Sequence, residues 1–178
     1  FLAKVNSDLV GKFINIPSRT SGFISKYFQN KLLPLEKIQD EKGNKLVLEI
    51  MDIKDLVTKY YESRMYSKLV KLVMSQVEML NEFISSKEPW VLAKDDDQQK
   101  VNSDLHQICS LCLHSFRLIS IYLTPIIPEL SSKIALFFNE TPYDSFSVTK
   151  IEASQINKYE HLMQRLDIKN IEVMVDEK

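Results

Sequence analysis

Only three glycines, Gly11, Gly22 and Gly43, occur among the 178 residues of this chain. Glycine-rich phosphate cradles need several glycines at fixed spacing, so a Rossmann turn and a P-loop have no material here. Scarce glycine together with scattered Leu, Ile, Met and Lys points to helices. Hydrophobic residues at 44% and charged residues at 26% exclude a disordered chain and a collagen-like one. The length suits one globular domain with a short extra segment. Lys and Arg number 23 against 24 acids, a net charge of −1, so a broad sequence-blind nucleic-acid footprint is not expected. Cys109 and Cys112 are the only cysteines, which fits a reducing compartment without a disulfide framework. The start, FLAKVNSD, lacks the apolar core of a signal peptide. The longest apolar run, residues 118–127, is broken by Ser120, Tyr122, Thr124 and Pro125 and falls short of the roughly 20 residues a membrane helix needs. A cytoplasmic protein is therefore expected. Because it begins with Phe1 rather than methionine, the chain reads as a piece of a longer one.

Five segments carry helical periodicity. Over residues 2–28, Leu9, Phe13, Ile16, Phe23 and Tyr27 form one apolar stripe. Residues 32–44, with Pro34 and an EKGN run, read as a surface connection. A second helix is expected over 46–62. A third, over 66–86, places Leu69, Leu72, Val73, Gln76, Leu80 and Phe83 on one side. Residues 87–100 read as a loop containing Pro89, Trp90 and the acidic run 95–97. A fourth helix over 101–123 buries Leu105, Ile108, Cys109, Cys112, Phe116, Ile119 and Leu123, and a short fifth follows Pro128. One apolar stripe per helix and short connections predict an all-α antiparallel bundle of about five helices. The bundle is expected over 1–147, with an irregular tail over 148–178.

The first helix carries a second face. Gly11, Asn15, Ser18, Gly22 and Lys26 recur at three and four, and Arg19 lies one turn beyond Asn15. Two readings fit this face: close approach of a ligand, with Asn15 and Arg19 as polar readers, or tight helix packing at the glycines with Arg19 solvated. Lys4, Lys12, Arg19, Lys26 and Lys31 face only Asp8 in this region, a modest basic patch. Pro17 lies between the two readers and implies either a kink or a restart of the helix. Trp90, the single tryptophan, follows Pro89, which biases Glu88 towards an extended conformation. It can offer a π-face for a stacked base or plug the end of the bundle.

The stretches VNSDLVGKFINIPSRTSGFI (5–24), EPWVLAK (88–94) and FRLISIYLTPIIPELS (116–131) resemble the anticodon-binding domain of the methionyl-tRNA synthetase family. HLMQRLD (161–167) is similar to the segment that, in that family, returns to pack on the catalytic domain. Asn-x-x-Ser-Arg on the first helix joined to Pro-Trp-x-Leu-Ala-Lys after the third separates this family from the isoleucine, valine, leucine and cysteine enzymes, which share the helical domain. The resemblance implies that Trp90 stacks under a cytosine, the first anticodon base, with the Pro89–Trp90 backbone at its edge. It implies that Asn15 and Arg19 contact the adenine and uracil that follow. Lys12, Lys26 and Lys94 are candidate phosphate contacts. Single-stranded loop bases are read by stacking and edge bonding, which a few side chains provide without a large positive charge. Where the family commonly has alanine, this chain has Pro17.

The implied partners are the anticodon loop of methionine tRNA and the catalytic domain of the same polypeptide; without that domain, 161–167 is expected to be poorly ordered or loosely docked. ATP and magnesium belong to that catalytic domain, since neither an HIGH-like nor a KMSKS-like signature occurs in this chain. No catalytic set assembles and no cofactor of its own is expected. His106, Cys109 and Cys112, spaced by three on one helix, suit buried cysteines better than zinc, whose four ligands must converge on a point. The other readings are a sister synthetase domain with a different anticodon and a helical protein-interaction module.

Overall fold

Each expected helical segment forms. The computed structural model describes residues 2–95, 97, 99, 101–144 and 154–164. In chain order, α1 (Leu2–Lys4) leads into a π-helical stretch, Val5–Phe13, and then α2 (Asn15–Phe28). A short 3-10 turn, Leu35–Lys37, precedes α3 (Glu41–Asp52), α4 (Lys54–Glu62) and α5 (Tyr66–Lys87). The short α6 (Pro89–Leu92) follows. A π-helical turn, Val101–Leu105, then opens α7 (His106–Leu123), and α8 (Pro128–Phe137) is the last helix described. Among the described residues the only strand-like feature is an isolated bridge between Lys31 and Gln155. None of their helices is long and apolar enough to cross a membrane.

Two expectations need correction. EKGN is not a surface connection but the first turn of α3, which starts at Glu41 because Asp40 Oδ1 caps it by accepting from the Gly43 amide at 2.8 Å. Gly43 is buried, and a Cβ there would overlap Leu111 and stand 3.1 Å from Phe83, so the glycine lets α3 approach α7 and α5. Residues 87–100 are not wholly a loop, since α6 occupies their start.

α7 organises the core. Every residue from Ile108 to Leu123 is buried, the pattern of a helix surrounded on all sides. It packs against α2, α3, α5 and α8. Phe13 meets Phe116 and Phe28 meets His106, so α2 and α7 run in opposite directions. Gln39 bonds Gln107 and Tyr122 bonds the Ile50 carbonyl, so α3 and α7 run the same way. Consecutive long helices therefore alternate in direction, as their connections require.

Residues 154–164 lie against this bundle. The Leu32 amide donates to the Ser154 carbonyl, the Ile156 amide to Asn30, and the Asn157 amide to Phe137. Ile156 and Leu162 are buried. The boundary expected at 147/148 and residues 165–167 lie outside the described residues.

Several polar groups on α7 find partners inside, although His114 Nδ1 and Ser115 Oγ do not. Ser110 Oγ accepts from the Leu33 amide, and His114 Nε2 meets the Leu33 carbonyl at 2.8 Å. Arg117, 1% exposed, donates from Nε to both oxygens of Glu140, which also accepts from the Tyr143 hydroxyl. Burial pushes His114 down to about 4, opposed by its bond to Leu33 and aided by the Arg117 charge. The unfolded chain, with an ordinary histidine, takes up this proton first as the pH falls. Stability is therefore full above about pH 6.5 and drains away towards pH 4, with about 2 kcal/mol lost by pH 5. Urea unfolding at about pH 7.5 and pH 5 should show that loss, and His114→Gln should flatten it.

Candidate functional site

The chain enters α2 from a π-helical stretch in which amides reach five residues back. At this junction Asn81 of α5 donates from Nδ2 to the Lys12 carbonyl at 3.1 Å. α2 begins at Asn15 with Ile14 still right-handed helical, so Pro17 lies in its first turn and is not itself a point of restart.

α2 and α5 then run side by side in one direction. Lys12 Nζ meets Glu78 Oε1 at 2.5 Å, Asn15 Nδ2 meets Asn81 Oδ1 at 3.5 Å, and Arg19 Nη2 meets Ser85 Oγ at 3.3 Å. Each pair is separated by 66 residues, so the two helices stay in register turn by turn. One turn further on, the Arg19 guanidinium lies over the Trp90 ring, 4.7 Å from its centroid. Trp90 is half-buried and packs on the core with part of its surface. Asn15, Arg19 and Trp90 thus share one face, whereas Pro89 is buried beneath it.

Glu88 places the tryptophan, although not by the extended backbone expected before a proline. Its φ of 45° and ψ of 57° are left-handed. The Glu88 amide closes the last turn of α5 on Ile84, while its carbonyl accepts from Val91 and Leu92 to open α6. One residue therefore ends one helix and begins the next, at a backbone cost of about 1–3 kcal/mol. The Tyr27 hydroxyl fastens the far end of α6 by donating to the Ala93 carbonyl at 3.2 Å.

The lysines differ in what they can offer. Lys12 is held by Glu78, with Asp8 at 3.8 Å, and its pKa is raised chiefly by the Glu78 bond. Lys26 lies over the Tyr27 ring at 4.9 Å, and Lys94 is exposed. Neither Gly11 nor Gly22 is a contact between helices: a Cβ at Gly22 would meet nothing within 4 Å, and one at Gly11 would meet only the Asn6 carbonyl at 3.2 Å. Cys109 and Cys112 are buried in α7, and burial pushes both thiols up. His106 is stacked on Phe28 and bonded to the Lys31 carbonyl.

Asn81 and Ser85 are the site residues that sequence reading missed. Their signal was present: Glu78, Asn81 and Ser85 repeat the three-then-four spacing of Lys12, Asn15 and Arg19. Only the register of the two helices reveals that these series meet.

No family model matches the chain. The methionine–tRNA ligase of Thiobacillus denitrificans is 42% identical over 180 residues, covering 99% of this chain and 24% of the relative. That of Neisseria meningitidis serogroup B is 34% identical with the same coverage. The chain thus spans about a quarter of the length of the curated relatives it matches. The apo methionyl-tRNA synthetase of Mycobacterium tuberculosis has the same fold over 93% of this chain and 34% of its own, with a TM-score of 0.84 at 15% identity.

Open space at Gly22 gives a direct test of whether its glycine serves packing. Gly22→Ala should stabilise the chain by about 0.5–1 kcal/mol through helix propensity, measured as a rise in the urea midpoint.

Proposed function

This chain belongs with the methionine–tRNA ligases as the counterpart of about a quarter of their length, and we propose that it is the part that reads the CAU anticodon of methionine tRNA. The observation that carries this reading is the guanidinium of Arg19 lying over Trp90 on the face that also holds Asn15. An indole fixed at a helix junction gives a base a flat surface, worth about 1–3 kcal/mol per base stacked. Arg19 spends one donor on Ser85 and keeps the rest of its planar fork for a base edge. Asn15 offers both an acceptor and a donor. Unpaired loop bases can be read by such a set with little help from charge, in keeping with a net charge of −1. Lys26 and Lys94 are the better placed of the candidate phosphate contacts, because Lys12 is already paired.

In the complete ligase, which we place in the cytoplasm, methionine is activated with ATP and magnesium and passed to the tRNA. Neither ATP-binding signature occurs in this chain, so that chemistry falls to the remainder of the polypeptide. The role of this chain is to select the tRNA.

Titration of dye-labelled anticodon hairpins, read by fluorescence anisotropy, tests the proposal. A CAU loop should bind more tightly than a GAU loop. Trp90→Ala and Arg19→Ala should each weaken CAU binding by about 1–3 kcal/mol with the helical circular dichroism intact. Equal affinity for CAU and GAU would remove the methionine assignment, and tighter binding of GAU would transfer the domain to a sister synthetase. No response to Trp90→Ala would leave a protein-interaction module.

A further inference from the structure

Asn81 has an orientation that chemistry alone decides. Its Nδ2 sits 3.1 Å from the Lys12 carbonyl and 2.9 Å from the Val77 carbonyl. Both neighbours are acceptors only, so both hydrogens of this amide are committed and a flipped amide would set oxygen against oxygen. Asn81 Oδ1 must then accept, and the group facing it at 3.5 Å must be the donor end of Asn15. The polarity of Asn15 is thereby set from behind. Its Oδ1 and its second N–H are left for a ligand, in a fixed order.

We infer that Asn81 is a positioning residue that locks the Asn15 carboxamide so that it selects a base carrying an exocyclic amine beside a ring-nitrogen acceptor, a pattern that adenine, the middle base of the proposed anticodon, carries and guanine and uracil do not. This rests on the reading of the site as an anticodon reader and adds the origin of discrimination at one base. Adenine gives an N6 hydrogen to an acceptor and takes a hydrogen on a ring nitrogen, which matches the order Asn15 presents. Guanine presents O6 where adenine presents the amine. An unrestrained asparagine would turn over to suit it, but here turning over would break the bond to Asn81 and place two oxygens face to face.

The test uses the 178-residue chain with hairpins whose loops carry CAU, CGU, and CAU with the middle adenine replaced by purine, which lacks the amine. The unmodified chain should prefer CAU over both others by about tenfold or more. Asn81→Ala should bring the CAU-to-CGU ratio below about threefold by admitting guanine, whereas a purely structural role for Asn81 would weaken both hairpins equally and keep the ratio. A preserved ratio overturns the inference. Should Asn81→Ala not fold, the unmodified chain still decides: equal binding of the adenine and purine hairpins overturns it. Trp90→Ala, measured alongside on CAU, separates the two levels. If it has no effect, the anticodon reading fails; if it weakens CAU while Asn81→Ala keeps the ratio, only the positioning role fails.

Discussion

Lys12 meets Glu78, Asn15 meets Asn81 and Arg19 meets Ser85, and the constant separation of 66 residues makes these contacts rungs of one ladder between α2 and α5. The position of the candidate site follows from that register. A slip of one turn would carry Arg19 about 5.4 Å along the helix and off the Trp90 ring. The rungs do not hold the register by themselves, however. The ion pair of Lys12 is exposed and screened by solvent, so it holds little, and the other two contacts are long neutral or singly charged hydrogen bonds. What holds α2 and α5 beside each other is α7, buried from Ile108 to Leu123, against which both pack. Burial of its large side chains is worth about 1.5–3 kcal/mol each, so the apolar core sets the register and the polar rungs exploit it.

Unfavourable local backbone marks both ends of the site. At one end a π-helical stretch gives way to α2, and Asn81 donates to the Lys12 carbonyl at the junction. At the other, Glu88 accepts a left-handed conformation so that α5 can end and α6 begin within one residue. Each departure costs stability, and each places a side chain: Asn15 at the start of α2, Trp90 at the start of α6. Rigid helices carry these side chains, so the face they form is ordered before any ligand meets it.

Much of this was legible in the chain. The apolar stripes marked the helices, and residues assigned to them, such as Phe13, Ile16, Leu80 and Phe116, are buried. Trp90, Arg19 and Asn15 stood out as residues unlike their surroundings, and the structure brings them to one face. The misreadings share a cause. EKGN looked like a turn because glycine and asparagine favour turns, yet Asp40 caps it and the space between Leu111 and Phe83 demands the glycine. Gly22 invited a packing explanation, but a Cβ there would stand in the open. Glu88 was expected to be extended because local sterics before a proline favour it, and the demands of two abutting helices outweighed them.

Periodicity and residue type alone determined that the chain is helical, where most helices run, and which few side chains were chemically unusual, because these depend on neighbours within a turn or two. The likeness of its motifs to one synthetase family was equally a property of the sequence. Tertiary structure decided the rest: that α2 and α5 adjoin, that Asn81 and Ser85 back Asn15 and Arg19, and that the guanidinium lies on the indole. These pairings join residues 66 or more apart in sequence. Side-chain spacing within a single helix carries no information about which partner face the core will bring against it.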